Sequence, residues 1–157
     1  MNKLIIFIPS IESAGVEKNL FYLSNYLIKR NVDVNILTNN NNKKNYFNKK
    51  INFICPRSNK WNNSSRLIKT LICLYLFIIN VRKNNISFLS FQSNIAAIIL
   101  SKFFRLKIII RLNTSLDKYI KNIFKKFIFK FFYNLSNNVI VNSFDFKKEL
   151  ISKLNLK

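Results

Sequence analysis

Unbroken apolar runs alternate along this chain with segments whose apolar residues recur every three or four positions. Residues 4–8 are continuously apolar, the pattern of a strand covered on both faces. After a polar turn at residues 10–15, Val16, Leu20, Leu23 and Leu27 repeat at helical spacing as far as Arg30. Residues 32–37 predict a second strand. Strand, helix and strand within the first 38 residues make a βαβ unit, which requires a parallel pairing.

The alternation continues to the end. A polar, Asn-rich loop at 39–50 leads to a third strand at 51–55 and a loop at 56–63 carrying Trp61. Ser64 or Ser65 is placed to cap a helix running to about Val81. Strands are expected at 86–90, 107–111 and 139–141, and helices at 94–104 and 117–135. Ser143 caps a last helix reaching about Leu154. The fold class is therefore α/β: one domain over residues 1–157, a doubly wound, mostly parallel Rossmann-like sheet with helices on both faces.

Composition sharpens this picture. Of 157 residues, 49% are hydrophobic, enough for a core and too many for a disordered basic tail. Two cysteines, Cys55 and Cys73, exclude a disulfide scaffold, lack metal-ligand spacing and read as buried thiols. The absence of histidine excludes a His-based triad or zinc site. The six acids are Glu12, Glu17, Asp33, Asp117, Asp145 and Glu149; only Asp145 and Glu149 share a helix face, and they read as solvated surface. No catalytic constellation emerges, and the catalytic residues stay unknown.

The net charge is +21, from 27 Lys and Arg against six acids. It favours an anionic partner, although AT-rich coding explains it equally, since Lys, Asn, Ile and Phe are all abundant and Asn alone fills 26 positions. No reading motif is present and the basic residues are spread, so nucleic acid is not an expected partner. Residues 67–81 form the most apolar stretch. They are shorter than the roughly 20 residues of a membrane span and are interrupted by Lys69, so a buried helix is expected. No secretory signal is visible, and the expected location is cytoplasmic. The helix at 117–135 offers two readings. Its face of Ile120, Ile123, Phe124, Phe127, Ile128, Phe131 and Leu135 packs on the sheet and leaves the lysines solvated, or lies with them on an anionic membrane.

Open parallel sheets bind ligands at the carboxyl ends of their strands, which directs attention to the loops that follow each strand. Gly15, the only glycine, begins the first helix, where backbone amides bind anions; alternatively it only makes the turn. Glu17 complements the dipole of that helix or holds a substrate hydroxyl. Arg111 and Asn113 end the fifth strand, where Arg clamps a phosphate or carboxylate or is merely solvated. Asn94 is placed to cap the helix it opens.

Several of these stretches together resemble the N-terminal domain of family 4 glycosyltransferases. They are residues 6–10 with 14–20 and 23–27, residues 86–89 with Asn94 to Ala97, residues 109–113, and residues 139–143 with Lys147, Glu149 and Leu150. The resemblance implies one half of a GT-B fold and a role in polysaccharide biosynthesis. A sugar would move from a nucleotide-sugar donor to a glycan or lipid-linked acceptor. It places Ala14, Gly15 and Val16 at the donor phosphates. Glu17, Asn94, Arg111, Asn113 and Ser143 fall on the acceptor side of the cleft. It implies neither a metal nor a cofactor beyond the donor itself. Ala14 stands where the family often has glycine, and no histidine follows the fourth strand near Ser90 or Gln92. Nothing corresponds to the family's C-terminal donor-binding domain. The expectation is half an enzyme, weak or inactive alone, completed by a separate donor-binding domain and peripheral at the inner face of the membrane. The alternative is a non-catalytic basic module binding anionic membrane surfaces.

Overall fold

The computed structural model of the protein describes residues 3–12, 15–40, 43–81, 86–114 and 122–156. Among the described residues six strands and five helices follow in the order β1 (Lys3–Phe7), α1 (Gly15–Lys29), β2 (Asp33–Leu37), β3 (Asn52–Ile54), α2 (Arg66–Asn80), β4 (Ile86–Ser90), α3 (Asn94–Phe103), β5 (Lys107–Leu112), α4 (Ile123–Asn134), β6 (Asn138–Val141) and α5 (Phe144–Leu154). Short 3-10 turns occupy Lys44–Tyr46 and Asn59–Trp61. The strand order is β3-β2-β1-β4-β5-β6, with every pairing parallel. The chain moves outward from β1 through β2 to β3, then crosses back to β4 on the other side of β1. That reversal is the topological switch point, where adjacent loops diverge and leave a crevice at the strands' carboxyl ends.

Apolar strands are covered on both faces, as their runs predict. Ile5, Phe7, Phe88, Ile108 and Ile110 join the inner residues of α2, α3, α4 and α5 in one core. Ile6, Ile8, Val34, Ile36 and Leu89 join those of α1 in the other. The first core is built around aromatic contacts, with Phe88 5.7 Å from Phe7 and 5.3 Å from Phe77 between ring centroids. Burial shields the Cys73 thiol and raises its pKa, which leaves it an inert core residue.

Helix ends follow the local chemistry. Of the two candidate serines it is Ser65 that caps α2, accepting from the Ile68 amide at 3.4 Å. Ser143 caps α5 through the Phe146 amide at 3.2 Å. Asn155 in the left-handed region ends α5.

Two expectations need correction. Residues 67–81 do not form a buried helix. α2 buries a stripe of Thr70, Cys73 and Phe77 and exposes Leu71, Tyr75, Ile78 and Ile79, because it forms the outer layer of the fold. The packed face of α4 is likewise not the expected one. Phe129, Phe132, Tyr133 and Leu135 point into the core, while Ile123, Phe124, Phe127 and Phe131 are exposed. α4 carries two apolar stripes, and periodicity cannot choose between them. Asp117, Lys118, Ile120 and Lys121, assigned to the start of this helix, lie outside the described residues.

Candidate functional site

An open pocket of about 600 Å³ lies at the carboxyl ends of β4 and β5, beside the switch point. Its floor is the turn after β4, from Phe91 to Asn94, and the end of β5, from Arg111 to Thr114. Arg66, Leu67 and Thr70 from the first two turns of α2 form one wall, Ile95 and Ile99 of α3 another, and Phe129 and Tyr133 of α4 a third. Val16 reaches it from α1. Among the described residues the lining contains two arginines and no carboxylate, so its electrostatics favour an anion.

Arg111 is the central charge. Its Nη2 donates to Asn142 Oδ1 at 2.8 Å, and the guanidinium lies over the Phe91 ring, 5.1 Å from the centroid. Partial burial disfavours its charge and lowers its pKa. Arginine remains a cation under such a shift, because its ordinary pKa lies far above neutral. The ring below and the carboxamide beside it hold the guanidinium in place. Arg111 also borders a shallower groove of about 400 Å³ between α1 and the outer strands, lined by Tyr22, Tyr26, Leu89 and Ile140.

The turns around Arg111 are tied by side-chain amides. Asn94 does not cap its own helix; that position belongs to Ser93, which makes no side-chain cap bond. Asn94 instead accepts from Ser90 Oγ at 2.7 Å and donates to the Arg111 carbonyl at 3.0 Å, joining the ends of β4 and β5. Asn113 donates to the Phe91 carbonyl at 2.9 Å. Ser93 adopts a left-handed conformation, φ 53°, and its hydroxyl lies 2.9 Å from Thr70 Oγ1. A non-glycine residue there is strained. Three buried polar atoms on pocket residues, Gln92 Oε1, Arg111 Nε and Asn113 Oδ1, have no hydrogen-bond partner among the described residues. Such atoms in a folded protein ordinarily meet water or a ligand.

The first loop is arranged differently. Glu17 is buried in the first turn of α1, and its Oε1 accepts the Glu12 amide at 3.1 Å. Lys69 reaches over from α2 to Ser10 Oγ at 3.2 Å and Glu12 at 3.9 Å. Glu17 thus ties down its own loop and does not line the pocket. Gly15 has no positive φ, and a Cβ added there would meet nothing within 4 Å. Backbone geometry therefore does not require glycine. Ala14 lies outside the described residues.

The structure thus gathers Val16, Asn94, Arg111 and Asn113 at one pocket, with Gly15 next to Val16 in the chain. Ser143 serves as the α5 cap and does not line it. Asn142, Phe91 and Arg66 complete the arrangement and are absent from the sequence-based set. Asn142 was legible as the first residue of the loop after the sixth strand, but nothing in the sequence pairs it with Arg111.

Comparison with known proteins identifies the family. The family model of Glycosyltransferase Family 4 matches residues 13–157. No significant match is found among curated proteins. Among solved structures, a ugt transferase from Siraitia grosvenorii in complex with UDP matches with a TM-score of 0.49 and 12% identity, over 73% of this chain and 28% of that one. The chain therefore spans less than a third of the length of that protein.

Proposed function

We infer, from a chain that belongs to Glycosyltransferase Family 4, that it is the acceptor-side half of a sugar transferase. The observation that carries the reading is the pocket at β4 and β5, lined among the described residues by two arginines and no carboxylate. Such a site suits an acceptor presenting a phosphate or diphosphate, as a lipid-linked glycan does. The guanidinium of Arg111 takes the anionic group, while Asn113 and Gln92 offer carboxamide oxygens to hydroxyls and Asn94 holds the strand ends that carry them. The amide end of α1 at Gly15 and Val16 faces the donor's phosphates.

In the transfer an acceptor oxygen forms a bond to the anomeric carbon as the bond to the nucleoside diphosphate breaks. The proton of the acceptor hydroxyl needs a base. None of the described residues lining the pocket is a carboxylate, so this half supplies binding, orientation and charge. The nucleotide's main pocket and the base belong to a second domain. The lipid of the acceptor brings the chain to a membrane surface.

The test is an assay of the purified chain with a panel of nucleotide sugars and lipid-linked acceptors. No turnover is expected from the 157-residue chain alone. Robust transfer by that chain would overturn the reading.

A further inference from the structure

Two arginines line the strand-end pocket, and the fold gains nothing from the charge of either. Arg66 occupies the first turn of α2, where the helix dipole favours an acid and opposes a cation. That turn carries no acid, and among the described residues Arg66 joins no ion pair. Arg111 is partly desolvated, and its Nε is buried with no hydrogen-bond partner among the described residues. An anion held in the pocket would compensate both.

Both cations are anchored through the same turn. Thr70 Oγ1 donates to the Arg66 carbonyl at 2.8 Å and lies 2.9 Å from Ser93 Oγ, which fixes the start of α2 against the turn after β4. The same turn supplies the Phe91 ring under the Arg111 guanidinium, and Asn94 donates to the Arg111 carbonyl. It also opens α3, whose Ser93 makes no side-chain cap bond, so the first-turn amides of α3 are left to water or an anion.

The count of charges selects the ligand. A single phosphate that bridges two substituents carries one negative charge. A diphosphate bridge carries two, one on each phosphorus. Against them the lining sets two cations and, among the described residues, no carboxylate. A guanidinium fork matches one phosphoryl group. We propose that the pocket reads a diphosphate bridge, with Arg111 on one phosphoryl group and Arg66 on the other, so that Arg66 separates diphosphate-linked from monophosphate-linked acceptors. The proposal rests on the acceptor-side function and narrows its ligand from a phosphate or diphosphate to a diphosphate.

The experiment is a calorimetric titration with two short-chain prenyl glycans that differ only in the bridge, one a monophosphate and one a diphosphate. The wild-type chain should prefer the diphosphate by about tenfold or more, the weight of one charge-assisted hydrogen bond. Arg66→Gln should abolish that preference by weakening the diphosphate ligand alone, whereas Arg111→Ala should weaken both. Lys107→Gln changes an exposed cation at the opposite end of β5 and should alter neither affinity, which separates the effect from the +21 charge of the chain. Phosphorus NMR gives a second readout on bound ligand. Both resonances of the diphosphate should shift in the wild-type protein, and only one with Arg66→Gln. UDP brings the same diphosphate chemistry from the donor side, and it should displace the diphosphate glycan poorly. Equal affinity of the wild-type chain for the two bridges, a preference that survives Arg66→Gln, or displacement by UDP as strong as by the glycan itself would overturn the proposal. Each of those results leaves the acceptor-side function standing. Binding of neither glycan would instead remove that function and this proposal with it.

Discussion

Arg111→Ala is expected to weaken binding of a lipid diphosphate acceptor by about ten- to a hundredfold in a calorimetric titration. A hydrogen bond to a charged group contributes about 1.5–3 kcal/mol, and about 1.4 kcal/mol is a factor of ten. Arg111→Lys should recover only part of the loss. It keeps the charge but not the planar fork resting on Phe91 and bonded to Asn142. Asn142→Ala should have the same direction and a smaller effect, since it removes the neighbour and leaves the cation. The thermal midpoint of the Arg111→Ala protein should change little. The guanidinium is partly desolvated and none of the described residues lining the pocket is a carboxylate, so removing it also relieves a cost. A large loss of stability with unchanged acceptor binding would make Arg111 a structural residue.

Phe88→Ala should cost about 3–5 kcal/mol, a large share of the roughly 5–15 kcal/mol that holds an ordinary domain together. Phe88 is fully buried in the central strand pair β1–β4 and contacts Phe7 and Phe77. Its removal leaves a cavity between the sheet and α2, and rigid strands on both sides limit how far it can collapse. Urea denaturation should show the midpoint lowered by more than about 1 M, given a slope of about 1–3 kcal/mol per molar. By contrast, Phe127→Ala on the outer face of α4 should stay within about 0.5 kcal/mol of the parent, as surface changes do. Equal losses at the two positions would mean that the inner and outer stripes of α4 have been misassigned.

That contrast also marks where the sequence is legible. The strands announce themselves because residues 4–8 and 108–110 are apolar without interruption, and a strand buried on both faces needs that. Ser143 was recognisable as a cap because a cap is a local bond, made within three residues. The inner stripe of α4 was not legible. Phe127 and Phe129 are equally apolar, and only the position of the sheet and α5 decides which turns inward. The same holds for α2, whose outer residues are as hydrophobic as its inner ones. The pocket was half legible: Arg111, Asn113 and Asn94 stand at strand ends, where the fold class places ligands. Arg111's partner Asn142 lies 31 residues away, a pairing created by the β5–β6 register and invisible to local reasoning.

The central claim is that the acceptor's anionic group sits at the carboxyl ends of β4 and β5. Amide hydrogen exchange measures this directly, with and without a water-soluble short-chain prenyl diphosphate glycan. Added glycan should slow exchange in residues 91–96 and 111–114, and the slowing should vanish in the Arg111→Ala protein. Unchanged exchange in both segments, with slowing confined to the loops after β2 and β3, would contradict it.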